Sequence, residues 1–450
     1  MKILMLELRQ VLHSRLAVGA VVLLALLSAL SVWTGLQAVS QQRAALERTA
    51  ASHAQDHAAI AAKQLKGGVA DAGSVGYYLP HLTVNPPSPL AFVAIGQRDL
   101  QPQALRVRLL GLHAQLYESE AINPELAMPG RFDFAFVLVF LAPLFVIALM
   151  HDLVTGEREA GRLRLLASLP AGAANTWRRR VGLRFGLLWL AALLPVACGA
   201  LVAGAGVIGF GAIALIATLY LAFWFGLAGW VAARARTSSG SAAILLACLV
   251  GLTMILPTLA DAAIARLAPV SKGVELALAQ RQAVHSGWDI PKPETFARFF
   301  QTHPEWKDTA PVEGRFHWKW YYAMHQAGDQ AVAGDVAQYR ASMAARESWT
   351  ARVGLLLASV NVQVLLHRLA DTDLAAQLAY QERIAAYHTQ LRQFFYPYLF
   401  DDKPFTQADL AKLPVYEGGA SEGTLPLGQL LALGLLAAVI MLVGLRKLRM

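Results

Sequence analysis

Residues 183–230 read LRFGLLWLAALLPVACGALVAGAGVIGFGAIALIATLYLAFWFGLAGW, and the only charge in all of it is Arg184. The stretch is two apolar runs, Leu183 to Ala203 and Val207 to Trp230, parted by Gly204, Ala205 and Gly206 alone. Each run meets the roughly 20 residues a helix needs to cross the hydrocarbon of a bilayer. The pair therefore predicts two membrane spans joined by a turn too tight to hold a domain. Working outward, four further stretches approach the same length: Leu16 to Leu36, Phe132 to Met150, Ala242 to Ala263 and Leu425 to Leu445. The whole 450-residue chain is 56% hydrophobic and only 15% charged, a balance that excludes an ordinary soluble domain. The run after Arg15 exceeds the roughly 7 to 15 residues of a signal-peptide core and has no A-x-A-like end, so it reads as a first span.

Orientation follows from basic residues, which are retained on the inner side of a membrane. With the N-terminus inside, the inner segments hold Lys2, Arg9, Arg15, Arg158, Arg162, Arg164, Arg178, Arg179, Arg180, Arg184, Arg234, Arg236, Arg446, Lys447 and Arg449. Against these stand only Glu7, Asp152, Glu157 and Glu159, although the chain as a whole carries just +9. The asymmetry predicts both termini inside, and it accounts for the basic clusters without nucleic acid.

The expected order is then a cytoplasmic connector helix (1–15), TM1 (16–36), a first outer domain (37–131), TM2 (132–150), a cytoplasmic coupling region (151–182), TM3 (183–203), TM4 (207–230), a cytoplasmic loop (231–241), TM5 (242–263), a second outer domain (264–424), TM6 (425–445) and a cytoplasmic tail (446–450). Gln37 to Lys66 lacks glycine and is rich in alanine, so it predicts a helical continuation of TM1 stopped by Gly67 and Gly68. A proline-rich turn, Asn85-Pro86-Pro87-Ser88-Pro89, leads to a second expected helix around Gln103 to Glu118. No strand period is sustained in 264–424, which reads as mainly α-helical with aromatic clusters at Phe316 to Tyr322 and Phe394 to Phe400. Val353 to Leu366 is apolar but too short for a span, and predicts a buried or interfacial helix. The fold class is thus an all-α polytopic membrane protein with six transmembrane helices and two mainly α-helical outer domains.

No lysine follows a glycine anywhere in the chain, so the P-loop G-x-x-x-x-G-K-[ST] is absent. The segment after TM2, His151-Asp152-Leu153-Val154-Thr155-Gly156-Glu157-Arg158-Glu159-Ala160-Gly161-Arg162-Leu163-Arg164-Leu165-Leu166-Ala167-Ser168-Leu169-Pro170, places charges and glycines at the membrane surface ahead of a short amphipathic helix. Such a segment offers a partner ion pairs and a small apolar ridge, or it is an ordinary interfacial loop.

Gly156-Glu157-Arg158-Glu159-Ala160-Gly161, Leu165-Leu166 and Ser168-Leu169-Pro170, set between the second span and a basic third span, resemble the permease subunits of ABC-2 type ABC transporters. Tyr77-Tyr78-Leu79, Pro87-Ser88-Pro89-Leu90, Gly96-Gln97-Arg98-Asp99, Gly130-Arg131-Phe132-Asp133, Arg368-Leu369-Ala370-Asp371-Thr372-Asp373-Leu374, Tyr387-His388 and Phe394-Phe395-Tyr396-Pro397 are similar to the subgroup with the domain of unknown function DUF3526. The resemblance covers nearly the whole chain and departs from small ABC-2 permeases in its two large outer segments. It implies an ATPase-coupling role for Gly156, Glu157, Arg158, Glu159, Gly161, Leu165, Leu166 and Pro170. It also implies a connector helix carrying Glu7, Arg9 and Arg15. The protein would then be a non-enzymatic permease subunit of the bacterial inner membrane, with two periplasmic domains. It would have no cofactor of its own, ATP and Mg being held by a separate ABC ATP-binding subunit. A second permease subunit, identical or paralogous, would complete the unit, with membrane lipid around it and a periplasmic protein as a further candidate partner. Export of a small molecule, lipid or peptide is the first expectation. Mechanotransmission to a periplasmic partner without translocation, and a membrane scaffold without an ATPase, are the alternatives.

His53 and His57 lie four apart on an expected helix with Asp56 nearby, which suits two imidazoles on one face, but nothing adjoining completes a metal site. His317 with His325, and His367 with His388, make no better case. Cys198 and Cys248 sit in apolar runs and read as small core residues. There is no G-x-S-x-G elbow. Asp133 and Asp261 fall only at span ends, which argues against proton-coupled transport. The glycines of the third and fourth spans suit close helix packing, within one subunit or between two.

Overall fold

The computed structural model describes residues 2–66, 68–117, 132–168, 172–270, 273–419 and 423–448. Gly67, Gly130, Arg131, Pro170 and Arg449, all invoked from sequence, lie outside the described residues.

A short helix α1 (Lys2–His13) ends at Ser14, whose hydroxyl accepts the Ala17 N–H and so starts α2 (Arg15–Gln64). At 50 residues α2 extends about 75 Å, because its polar half has neither glycine nor proline to break it. There follow β1 (Val69–Ala70), α3 (Ala72–Tyr78), β2 (His81–Val84), β3 (Ala104–Val107) and α4 (Leu112–Tyr117). The second apolar run comprises α5 (Phe134–Phe136), a π turn (Val137–Leu141), α6 (Ala142–Met150) and α7 (Thr155–Glu159). After α8 (Leu163–Ala167) come the long helices α9 (Gly172–Ala203) and α10 (Val207–Arg234), then α11 (Ser238–Val250), a second π turn (Gly251–Ile255) and α12 (Leu256–Leu267). The remainder is α13 (Gly273–Ser286), α14 (Lys292–Phe300), α15 (Trp318–Ala331), α16 (Ala333–Gly354), α17 (Ala358–Ala370), α18 (Leu374–Phe400), β4 (Phe405–Thr406), α19 (Gln407–Leu410) and α20 (Leu427–Lys447).

Among the described residues, six helices are long and apolar enough to cross a membrane: Arg15–Gln64, Phe134–Glu159, Asn175–Ala203, Val207–Arg234, Ser238–Leu267 and Leu427–Lys447. Both π turns stand just before a proline, Pro143 or Pro257, where a missing N–H widens the preceding turn. The carbonyls left short of a donor are taken by side chains. Tyr220 donates to Val139 O at 2.8 Å, and Ser359 of α17 donates to Leu252 O at 2.7 Å.

Three expectations are corrected. The stretch around Gln103 to Glu118 is not one helix, since Ala104–Val107 is a strand paired antiparallel with β2, His81 facing Val107. Its short alternation gains its partner across the long connection 85–103, which a local helix reading misses. Val353 to Leu366 is interrupted at 355–357 and belongs to two helices, α16 and α17, the second packed on the bundle. The segments expected as two separate outer domains share one hydrophobic core. Val75, Leu79, Val107 and Tyr117 pack with Leu276, Tyr322, Tyr380 and Phe405. Tyr322 donates to Gly73 O at 2.8 Å, and β1 pairs with β4. With one core between them, the two segments form a single head.

The proline-rich turn also lies deeper than a surface loop. Ala91 to Ile95 are each 1% exposed or less and belong to the core of the bundle. A β-carbon on Gly35 of α2 would stand 2.1 Å from Phe92 O, and one on Gly199 of α9 would stand 2.8 Å from the Phe92 ring. The inserted backbone is satisfied: Ala135 N–H donates to Val93 O at 2.9 Å, and Asp133 accepts the N–H groups of Ile95 and Phe136, each at 2.9 Å.

Inside the head, Asp329 accepts from Arg392 at 2.7 Å and from the Leu112 N–H at 2.9 Å. Burial alone would lift the Asp329 carboxyl, but Arg392 and His113 hold it below the usual carboxylate range. His388, beside Arg108 O at 2.9 Å, is pushed down to about 3, chiefly by burial and then by Arg392. Above pH 6.5 this imidazole is neutral both folded and unfolded. As pH falls toward 3 only the unfolded chain takes up the proton, so stability is lost by about 1.4 kcal/mol per pH unit. His388→Gln is expected to reduce the acid slope of unfolding free energy below pH 6.5 by that amount, measured by denaturant unfolding of the detergent-solubilised chain over a pH series. An unchanged slope would contradict this.

Candidate functional site

Two of the residues singled out from sequence, Glu7 and Glu157, come together where α1, α7 and α9 meet. Gly161 has φ +73°, a left-handed conformation suited to glycine, and it lets the chain fold back so that Arg162 N–H reaches Glu157 O at 2.9 Å. Glu157 is thereby turned inward, with its side chain 9% exposed. One oxygen accepts from Arg162 Nε at 2.7 Å and the other from Arg180 Nη1 at 2.8 Å. Arg180 Nε reaches Glu7 of α1 at 3.0 Å, and its Nη2 reaches Gln10 at 3.4 Å. One guanidinium thus holds the N-terminal helix, the turn after the second run and the start of the third long helix. Its five fixed donors permit this, whereas a lysine ammonium would not supply the same fork. Trp177, buried, lies 5.5 Å from the same guanidinium.

Arg158 and Glu159 point to a different neighbour. Arg158 donates to Ala235 O, while Glu159 accepts from Ser238 N–H at 2.8 Å and Ser238 Oγ at 2.9 Å. A carboxylate at the first turn of α11 meets the unpaired N–H groups and positive end of that helix. The five-residue α7 is therefore pinned to α1 and α9 through Glu157 and to α11 through Glu159.

The other expected residues are arranged otherwise. Leu165 is 67% exposed, whereas Leu166 packs against the bundle. Gly156 has room for a side chain, since a β-carbon there would meet only Asp152 Cβ at 3.6 Å. Arg9 and Arg15 are exposed and stand apart from the cluster. A cavity of about 240 Å³ opens between α1 and the ends of α6 and α9, with Ser14, Asp152 and Arg184 on its wall. Arg180, Gln10 and Ser238 were not identified as site residues from sequence. Arg180 was one of three consecutive arginines credited to topology, and the helical period that turns one of them toward Glu157 was the available signal.

The histidines follow a different pattern. The His53 and His57 rings are 5.8 Å apart, but Asp56 is engaged by Arg106 at 2.9 Å. His317 caps α15, His325 accepts from the Gly111 N–H at 3.1 Å, and His388 is held on Arg108 O. Among the described residues, no group of three histidines, cysteines or acids is placed to hold a metal ion.

Comparison with known proteins follows the same division of the chain. Residues 1–174 match the family described as ABC-2 family transporter protein, which takes in α1, the first two candidate spans and the turn carrying Glu157 and Glu159. Residues 274–418 match the Domain of unknown function (DUF3526), covering most of the second head segment. No curated protein matches, and no solved structure matches.

Proposed function

Because the chain is an ABC-2 family transporter protein that carries a DUF3526 domain, we propose that it is the membrane permease subunit of an ATP-driven transporter. On this reading it sits in a bacterial inner membrane with both termini in the cytoplasm and the head in the periplasm. A separate ABC ATP-binding subunit binds ATP and Mg and docks on the turn from Gly156 to Pro170, with Leu165 as the exposed apolar contact. A second permease subunit, identical or paralogous, completes the assembly.

The observation that carries this reading is the Glu7–Arg180–Glu157 joint. A push on α7 or α8 by a closing ATPase acts at once on α1 and α9, because one guanidinium bonds all three. From α1 the displacement passes across Ser14 into α2, which continues unbroken to Gln64 in the head. The proposed task is export of a small molecule, lipid or peptide. Mechanotransmission without translocation is favoured by one feature, the continuity of α2 into a head with a single core.

Proteoliposomes containing the chain and its cognate ATPase separate the two. Export predicts ATP-dependent flux that Glu157→Gln with Arg180→Met abolishes. Hydrolysis stimulated by an added periplasmic protein, with no flux of any candidate, would leave mechanotransmission. Failure to recover any ATPase with the wild-type chain, or recovery unaffected by charge reversal at Glu157 and Glu159, would sink both.

A further inference from the structure

Away from the coupling end, a second cavity of about 290 Å³ lies where the head meets the bundle. One wall is α17 and another is α16, which runs down to the break at 355–357 before α17 returns. The crossing of Gly96-Gln97 with Thr372-Asp373 closes the outer end, where Gln97 N–H donates to Thr372 O at 2.8 Å.

The depth of this cleft can be read from its bonds to the spans. Ser359 is bonded to Leu252 O, about 14 residues into the candidate span that starts at Ser238 and therefore about 21 Å along it. Asn361 donates to Gln429 O at 3.0 Å, just inside the start of α20. The near end of α17 thus lies at the level of hydrocarbon. At its far end, the half-buried His367 lies within electrostatic range of Asp133, which caps the N-terminal end of the second span. Val360, Gln363, Val364 and His367 share the cleft face of α17 at helical spacing, so the wall grades from apolar to polar over about 10 Å along the helix axis.

Charge is graded as well. Arg346 is held at the outer end of α12, its Nε donating to Ala268 O at 2.8 Å, so its charge is met there by a neutral carbonyl. Glu347 and Asp373 together face a single cation, Arg368, with Glu347 at 2.8 Å. The polar end therefore offers one positive group at Arg346 and an excess of carboxylate beside it, over an apolar floor. We infer that this cleft binds one glycerophospholipid with a zwitterionic aminophosphate headgroup. The phosphate pairs with Arg346, the ammonium with Glu347, and an acyl chain runs past Val364 and Val360.

The full chain, purified in mild detergent from membranes containing phosphatidylethanolamine and phosphatidylglycerol, provides the test by native mass spectrometry. One phosphatidylethanolamine per chain is expected to remain. Arg346→Gln removes its phosphate partner, and Val364→Trp fills the path of the acyl chain midway along the cleft without removing a charge. Each is expected to lower retention by about tenfold or more, which for Arg346→Gln is the scale of one charge-assisted hydrogen bond. Arg352→Gln, exposed on the same helix and stacked on Trp349, leaves retention unchanged. On the wild-type chain, short-chain phosphatidylethanolamine raises the thermal midpoint, while inorganic phosphate and short-chain phosphatidylglycerol at equal concentration do not. Equal stabilisation by phosphate or phosphatidylglycerol, absence of any retained lipid, or full retention in Val364→Trp overturns the proposal. No ATPase is needed, so the outcome is independent of the transport reading.

Discussion

Arg180→Met is expected to disconnect α1 from the turn after the second span and to abolish ATP-driven activity of the reconstituted complex, while Arg179→Met does neither. Glu7, Glu157 and Arg180 have side chains only 14%, 9% and 12% exposed, so removing the cation strips the nearly buried Glu7 of its ion partner and leaves Glu157 with only the more exposed Arg162. Breaking a buried pair from one side costs about 3–5 kcal/mol, much more than an exposed pair is worth. Arg179, next in sequence but exposed, belongs to the second class. The measurement is the thermal midpoint of the purified chain together with recovery of the cognate ATPase. Adding Glu7→Gln and Glu157→Gln to Arg180→Met should restore much of the lost stability, since no buried charge is then left unpaired. It should not restore coupling, because the three elements stay untied. If the triple variant regains ATP-driven activity, the joint is structural and force enters elsewhere.

The second large effect is expected at the crossing of α10 and α20. A β-carbon on Gly444 would stand 2.3 Å from Gly226 O, and one on Gly226 would stand 2.6 Å from the Met441 backbone. Both obstacles are main chain, so no side-chain rotation relieves them and the two helices must separate. Overpacking of this kind costs about 1–3 kcal/mol even where side chains can adjust, and the upper end or beyond is expected for Gly444→Ala. Gly434→Ala on the same helix is the internal comparison, because its new methyl would meet only Leu219 Cδ1 at 3.9 Å. The thermal midpoint should fall sharply for the first and stay within about 2 °C for the second, the shift of a few tenths of a kcal/mol in a large chain. Similar midpoints for both would show that the backbones do not approach as described.

These two sites mark the boundary of what could be read in advance. Gly226 could be named as a packing glycine, but neither Gly444 nor its pairing with Gly226 could, since nothing local relates positions more than 200 residues apart. Arg180 was visible as one of a basic triplet, and its distinction from Arg178 and Arg179 required knowing which face of α9 meets Glu157. The strand at Ala104–Val107 was missed because four residues of alternation carry little weight without the partner His81–Val84. Ala91 to Ile95 follow the proline-rich turn with no local signal that they enter the bundle. Their burial depends on the absent side chains of Gly35 and Gly199 on helices far away in sequence.

What the sequence determined by itself was the membrane class and the count of six apolar helices. Each such signal lies within about 20 consecutive residues, and hydrocarbon selects for it without reference to any partner. The long course of α2 belongs to the same group, being set by an unbroken run of residues compatible with a helix. Tertiary structure alone decided that the two outer segments form one head, that a proline-rich loop enters the bundle, and that Arg180 joins three elements. Those outcomes depend on which surfaces meet: periodicity marks which face of an element is buried, but not which distant element covers it.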